Sequence, residues 1–214
     1  LTEKGEVFET KSVIISTGKS PRTLGVLGEK EYTGKGVTYC SICDAPLFSG
    51  KDTVVVGGGN AGMEAALDLT KYANKIYVLE YDSKIRGDEL SQEKLGSSGK
   101  VEFITDSKPL EIKGSRFVES LAYEDRKTGE RKELSAQGIF VNIGQIPNTS
   151  FLNGFVELNK YNEIVINHAT CETSVPGIFA AGDVTNIPFK QCVIAAGQGA
   201  IAALSAHKYL QGLD

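Results

Sequence analysis

An apolar run, Thr53-Val54-Val55-Val56, ends in Gly57-Gly58-Gly59-Asn60-Ala61-Gly62, and a second apolar run, Ile76-Tyr77-Val78-Leu79, follows one helix length later. Between them, Asn60 to Tyr72 has helical spacing, with Ala61, Ala65, Leu69 and Tyr72 on one stripe. Strand, glycine-rich turn, helix and strand make a βαβ unit, and this context gives a G-x-G-x-x-G pattern its meaning. Gly57 permits the tight turn, Gly59 lets backbone approach a pyrophosphate, and Gly62 lets helix and strand pack closely. Asn60 and Ala61 open the helix, whose free N–H groups favour phosphate. A glycine-rich turn with no ligand is the plainer alternative.

Glu80 closes the second strand, 21 residues after Gly59. A carboxylate there hydrogen-bonds ribose hydroxyls and repels a 2′-phosphate, which favours NADH over NADPH. Lys84 and Arg86 lie just beyond, and either can swing toward a phosphate, so NADPH stays an alternative. The plainer reading of Lys84 is a solvated charge that can pair with Glu80.

Fourteen residues before Gly57 stands Cys43, in Cys40-Ser41-Ile42-Cys43-Asp44. A C-x-x-C pair is the spacing of a redox dithiol. Exchange needs a proton for the leaving sulfur, and Asp44 is the adjacent acid; a turn-capping Asp is the alternative. The pair can also be half of a zinc site, but the only histidines, His168 and His207, lack finger-like spacing to another Cys. The two remaining cysteines, Cys171 and Cys192, read as small buried hydrophobes. A dithiol does not readily take a hydride from nicotinamide, so a flavin is implied between them.

Composition narrows the class. The 214 residues carry a net charge of −4 and no Lys/Arg block, which argues against nucleic acid as a partner. No apolar stretch reaches 18 residues, so no membrane span is expected. Four cysteines are too sparse for a secreted disulfide scaffold, and one working dithiol fits a cytoplasmic setting. The chain opens Leu1-Thr2-Glu3 without Met and reads as a piece of a longer product.

Along the rest of the chain, Glu9–Thr17, with Ser12-Val13-Ile14-Ile15-Ser16 inside it, reads as strand and 18–36, with five glycines, as connector. Asp88–Leu95 reads as a short helix and Val101–Ile104 as strand. Runs at 108–113, 117–124 and 131–135, separated by Gly114-Ser115 and Lys127–Glu130, read as an antiparallel meander. Ile139–Ile143 is a buried strand, Gln145–Thr149 an interdomain crossing, Gly177–Asp183 a strand, and Gln191–Leu210 an Ala- and Gly-rich helix.

Taken together, Cys40–Pro46, Gly57–Gly62, Ile143-Gly144 with Pro147-Asn148-Thr149, and Ala180-Ala181-Gly182-Asp183-Val184 resemble the low-molecular-weight thioredoxin reductase family. Leu79-Glu80-Tyr81, Ala169–Thr173 and Pro188-Phe189-Lys190-Gln191 bring the chain nearest its alkyl hydroperoxide reductase flavoprotein branch. The resemblance implies an α/β fold: a Rossmann-like βαβ nucleotide-binding domain with an antiparallel meander, inserted into part of a second Rossmann-like flavin domain. The segments are then 1–23 and 148–214 for FAD, and 24–147 for NAD(P)H and the dithiol. It further implies that Cys43 faces the flavin, Cys40 attacks the substrate disulfide and Asp44 donates the proton. Gly144, Gly182 and Asp183 join the cofactor contacts, with Lys190, Gln191 and Cys192 near the flavin ring. The Gly34 region and Pro147-Asn148 are the implied hinges. The implied partner is a thioredoxin-like or peroxiredoxin-type protein disulfide, and the implied assembly a homodimer.

Two departures stand out. The family has His-Arg-Arg where this chain has Glu80-Tyr81-Asp82, which supports NADH. The family's first G-x-G-x-x-G, which cradles the FAD pyrophosphate, has no counterpart in the first 56 residues. The alternatives to an NAD(P)H- and FAD-dependent disulfide reductase are a nucleotide-binding fragment lacking stable FAD, a zinc-dithiol domain, and a flavoprotein driven by another donor. The glycine loop with Glu80 argues against the last two.

Overall fold

The structure, a computed structural model, describes residues 5–213. Leu1–Lys4 and Asp214, and with them the outer ends of the expected 1–23 and 148–214 segments, lie outside the described residues. In chain order the elements are β1 (Val13–Ile15), β2 (Lys19–Pro21), α1 (Glu29–Tyr32), β3 (Val37–Thr38), α2 (Ser41–Asp44), β4 (Asp52–Val56), α3 (Asn60–Leu69), β5 (Lys75–Leu79), α4 (Glu89–Ser97) and β6 (Val101–Ile104). There follow β7 (Ser107–Gly114), β8 (Val118–Asp125), β9 (Glu130–Ser135), β10 (Gly138–Val141), β11 (Gln145–Pro147), β12 (Ile178–Ala180) and α5 (Cys192–Gln211). The chain forms two compact units, Pro21–Gly144 and the remainder on either side of it.

Within Pro21–Gly144, five strands form a parallel sheet in the order β3-β10-β4-β5-β6. A sheet buried on both faces needs near-continuous apolar strands, and Thr53–Val56 and Gly138–Val141 are buried throughout. Alternation sorts them by face. Val54, Val56, Leu79, Ile139 and Val141 meet Leu121 and Tyr123 of the meander β7-β8-β9. Val55, Ile76, Val78 and Phe140 meet Met63, Ala66 and Leu69 of α3 and Leu95 of α4. This is an α/β Rossmann-like sheet with helices on one face and an antiparallel meander on the other.

The buried stripe of α3 is Gly62, Met63, Ala65, Ala66 and Leu69, while Ala61 and Tyr72 are exposed. The stripe read from spacing therefore holds at Ala65 and Leu69 and fails at its two ends. Gly62 must face the turn, because a Cβ there would land on the Gly57 carbonyl oxygen, and this sets the rotation of the helix.

The 18–36 segment is not mere connector, since it contains β2 and α1. Glu29, 4% exposed, holds the loop by accepting the N–H groups of Leu24 and Gly25, each at 2.8 Å. The Gly34 turn lies inside the Pro21–Gly144 unit, closed by Gly34 N–H donating to the Val37 carbonyl at 3.0 Å. The division between the two units falls at Ser20–Pro21 and at Gly144–Gln145.

In the other unit, β1 pairs parallel with β12 and β2 pairs with β11. Ile15, Phe179 and Ala180 pack with Ile164, Ile166 and Cys171, and Ala202 and Ala206 bring α5 close. Phe179 meets Tyr209 edge-to-face at 6.2 Å. No helix among the described residues is long and apolar enough to cross a membrane.

Candidate functional site

β3 delivers the chain to α2, with Cys40 at its N-cap and Cys43 within it. Cys40 and Cys43 form a disulfide with Cα atoms 5.4 Å apart. The sulfurs are bonded to each other, and among the described residues no three His, Cys, Asp or Glu side chains gather as metal ligands. The Cys43 N–H donates to Cys40 Sγ at 3.3 Å, and the Asp44 N–H donates to the Cys40 carbonyl at 3.1 Å. Ser41 Oγ donates to Asp68 on α3 at 3.0 Å, fastening the redox turn to the sheet's helical face. Cys43 is exposed and Cys40 half-buried.

Asp44 is held by Thr38, whose hydroxyl donates to Asp44 Oδ2 and accepts the Cys40 N–H at 3.2 Å. One hydroxyl thereby ties the acid to the dithiol. Thr38 escapes the sequence reading; its only signal is a hydroxyl residue two positions before the C-x-x-C. The Asp44 carboxyl also borders a cleft of about 430 Å³ with Val37, Leu47, Phe48 and Phe117. A half-buried acid beside a dithiol can hand a proton to a leaving thiolate.

At the glycine loop, Gly57 has φ 118°, and a Cβ there would strike the Asn142 carbonyl. Gly62 abuts the Gly57 carbonyl. A Cβ on Gly59, by contrast, would meet nothing within 4 Å, so no protein packing demands a glycine there. Asn60 and Ala61 begin α3, and Asn60 Oδ1 accepts the Asp88 N–H at 3.0 Å. These residues border a cleft of about 400 Å³ together with Glu80, Asp82, Arg86, Asn142 and Gly144.

The Glu80 carboxylate spans the loop's base: Oε2 accepts the Gly58 N–H at 2.6 Å and Oε1 the Asp82 N–H at 2.9 Å. Lys84 is exposed, and Arg86 forms an ion pair with Asp82. Asn142 Oδ1 is buried without a hydrogen-bond partner. Leaving such an oxygen unpaired costs about 1–3 kcal/mol, which suits a cleft whose missing partner is a ligand hydroxyl or amide. Asn142 also escapes the sequence reading; it follows β10 directly, before Ile143-Gly144. A neighbouring apolar cleft of about 550 Å³, between Leu24, Leu27, Pro109 and Tyr81, adjoins Gly57 and Glu80. The set can hold a dinucleotide: N–H groups for phosphate, a carboxylate for ribose and apolar walls for a ring.

In the other unit, Gly182 and Asp183 border a cleft of about 670 Å³ with Ser16, Gly18 and Cys192. Gly182 has φ 79°, and its N–H donates to Gln198 Oε1 at 2.8 Å. Gln191 caps the start of α5. Lys190 donates from Nζ to the Thr185 carbonyl at 2.6 Å and pairs with Glu163 at 3.2 Å. Burial, assisted by Lys19, lowers the Lys190 amine, though Glu163 opposes this. Burial pushes the Glu163 carboxyl up, but hydrogen bonds from Lys19, Asn159 and Lys190 outweigh it and leave it below the ordinary value. Cys171 is buried, and burial raises its thiol. Cys192 is exposed, contrary to the expectation of a buried hydrophobe. It is the first residue of α5, and the helix start borders the cleft and not the core.

A parallel α/β sheet, a glycine turn with a carboxylate one strand away, and a C-x-x-C disulfide in the same unit define a nucleotide-linked disulfide oxidoreductase fold. Residues 1–201 match the profile of the pyridine nucleotide-disulphide oxidoreductase family, and the chain belongs to that family. It is 50% identical over 209 residues to the F subunit of alkyl hydroperoxide reductase from Pseudomonas aeruginosa, covering 97% of this chain and 40% of that protein. It is 47% identical over 208 residues to a Bacillus subtilis protein named NADH dehydrogenase, covering 97% and 41%. Among solved structures, thioredoxin reductase from Streptococcus pyogenes superposes with a TM-score of 0.92 at 37% identity, covering 99% of this chain and 69% of that one. The chain thus spans about 40% of the length of the curated relatives it matches.

Proposed function

We propose that this chain binds NADH at the Gly57–Gly62 loop and serves an FAD-dependent reductase that passes two electrons to the Cys40–Cys43 disulfide and on to a protein disulfide. Residues 24–147 act as the nicotinamide- and dithiol-bearing domain, and 1–23 with 148–214 contribute to the flavin domain. The observation that carries the reading is the Glu80 carboxylate on the Gly58 N–H at 2.6 Å, in a unit that also holds the Cys40–Cys43 disulfide.

Gly57, Gly59 and Gly62 shape the phosphate cradle, Asn60 and Ala61 offer the helix start, and Glu80 takes the adenosine ribose. Asn142 and Gly144 border the same cleft. Gly182 and Asp183 line the cleft that would hold part of FAD, with Cys192 beside them. Lys190 and Gln191 directly precede Cys192 in the chain. Bound flavin supplies the conversion of a hydride into an electron pair for sulfur.

Once the dithiol is reduced, the Cys40 thiolate attacks one sulfur of the partner's disulfide. A mixed disulfide forms, and Asp44 protonates the departing partner thiolate. Cys43 then attacks the Cys40 sulfur, which frees the second partner thiol and restores the Cys40–Cys43 disulfide. The Cys43 N–H on Cys40 Sγ supports Cys40 as attacker, since an N–H donor stabilises a thiolate. The partner class that suits this chemistry is a thioredoxin-like or peroxiredoxin-type protein in the cytoplasm.

A second reading, a nucleotide-binding fragment without stable FAD, draws support from the contrast between a five-stranded parallel sheet in one unit and the two-stranded β1–β12 pair in the other. The visible spectrum of the chain after FAD is added and the excess removed separates them. A near-stoichiometric flavin band with NADH-driven disulfide reduction supports the reductase. A colourless chain that still binds NADH supports the fragment. A chain that binds neither contradicts both. Cys43→Ser is expected to halt reduction and to trap a mixed disulfide on Cys40, and turnover surviving that change overturns the assigned roles.

A further inference from the structure

We propose that Asp82 acts as a latch on Arg86, denying that guanidinium to the 2′-phosphate of NADPH. The proposal rests on the nucleotide reading above and names what sets its selectivity. Both residues border the glycine-loop cleft with Glu80, and they pair with each other four residues apart. Their backbones are pinned. The Asp82 N–H donates to Glu80 Oε1 at 2.9 Å, and the Asp82 carbonyl accepts the Asp106 N–H at 2.9 Å. The Arg86 N–H donates to the Gly58 carbonyl at 2.9 Å, as does that of Gly87. The guanidinium therefore starts from a fixed point on the glycine loop, within reach of whatever lies on it.

An arginine there is the side chain best shaped to grip a phosphate in a fork, and an Arg near the ribose-binding acid is how NADP is accommodated. In this chain the fork is already engaged by Asp82. Among the residues lining the cleft, the two carboxylates Glu80 and Asp82 face the one guanidinium of Arg86 and repel a 2′-phosphate, while the neighbouring Arg126 guanidinium is engaged on the Tyr81 carbonyl at 2.7 Å and over its ring. Lys84 is exposed. Glu80 thus selects the free ribose, and Asp82 disarms an arginine anchored on the glycine loop that is able to override that selection. The Asp82–Arg86 pair is largely exposed, at 39% and 70%, so solvent screens it and its release moves the nucleotide preference by no more than about fivefold.

The test titrates the full 214-residue chain with NADH and with NADPH, following nicotinamide fluorescence, for the wild type, Asp82→Ala, Asp82→Asn and Asp82→Ala/Arg86→Ala. The ratio of the NADPH to the NADH dissociation constant is expected to fall about fivefold in both single variants, a change of about 1 kcal/mol. Most of that fall is expected to vanish in the double variant. Neither single change removes a backbone bond that holds the turn. A ratio unchanged within about twofold in the single variants overturns the latch, and so does a fall that persists undiminished without Arg86. Wild-type chain that binds neither nucleotide overturns the underlying nucleotide reading instead.

Discussion

The carboxylate of Glu80 accepts the backbone N–H of Gly58 at 2.6 Å, joining the end of β5 to the turn after β4. The acid therefore does two things: it shapes the glycine loop from below and presents charge to whatever lies on it. Glu80→Gln keeps the size and loses the charge. NADH binding is expected to weaken about tenfold, or about 1.4 kcal/mol. Stability should fall by about 1–2 kcal/mol as a charge-assisted bond is reduced to a neutral one. Fluorescence titration and urea denaturation check both.

Gly59 and Gly62 are predicted to part company. At Gly62 a Cβ would land on the Gly57 carbonyl, so Gly62→Ala should destabilise the chain by about 1–3 kcal/mol through overpacking. At Gly59 a Cβ meets nothing, and φ is −86°, so Gly59→Ala should melt like the wild type. Its NADH affinity should nonetheless drop severalfold, because the added methyl stands where the pyrophosphate approaches. Equal loss of stability in the two variants contradicts the assignment.

Asp44→Asn keeps the hydrogen bond to Thr38 but has no proton to give. With chain reduced beforehand by a chemical dithiol, exchange with a protein disulfide should slow about 100-fold, within the usual reach of general acid catalysis. Thr38→Val frees the Asp44 carboxyl and the Cys40 N–H together. A fall of about tenfold is expected there, and stopped-flow thiol exchange measures both.

Glu163 lies between Lys19 at 2.6 Å and Lys190 at 3.2 Å. Its carboxyl sits below the ordinary value of 4.5 in the folded chain. A depressed carboxyl contributes stability in full above its unfolded value and loses it as pH falls through the folded one. Stability of the wild type should thus decline as pH drops below about 4.5, and Glu163→Gln should show a shallower decline over that window. Thermal melts across the range check the slope.

Much of this is legible in the sequence because it is local. The β4-α3-β5 unit shows in apolar runs around a glycine turn, and the meander shows in alternating strands between turn residues. Cys40, Cys43, Asp44 and Glu80 stand out by spacing alone. What escapes depends on partners far along the chain. Helix α1 exists because Glu29 gathers two loop N–H groups and because Gly28 abuts the carbonyl of Ile112. The rotation of α3 is set by Gly62 against Gly57, so a stripe counted from Ala61 is right at Ala65 and Leu69 but misses Gly62, Met63 and Ala66. Thr38 and Asn142 look like ordinary polar residues until the sheet brings them to the dithiol and the glycine cleft, whereas Arg86 stands out in the sequence and only its pairing with Asp82 does not. Cys192 resembles a core cysteine in composition, yet it begins a helix whose first turn borders a cleft.

Electrons from NADH are held to reach the Cys40–Cys43 disulfide. Anaerobic incubation of the chain with FAD and NADH, followed by alkylation and mass measurement, tests this directly. Two additional alkyl groups per chain are predicted, on Cys40 and Cys43, appearing only when both NADH and FAD are present. A flavin-loaded chain that consumes NADH while both cysteines stay unlabelled would contradict it.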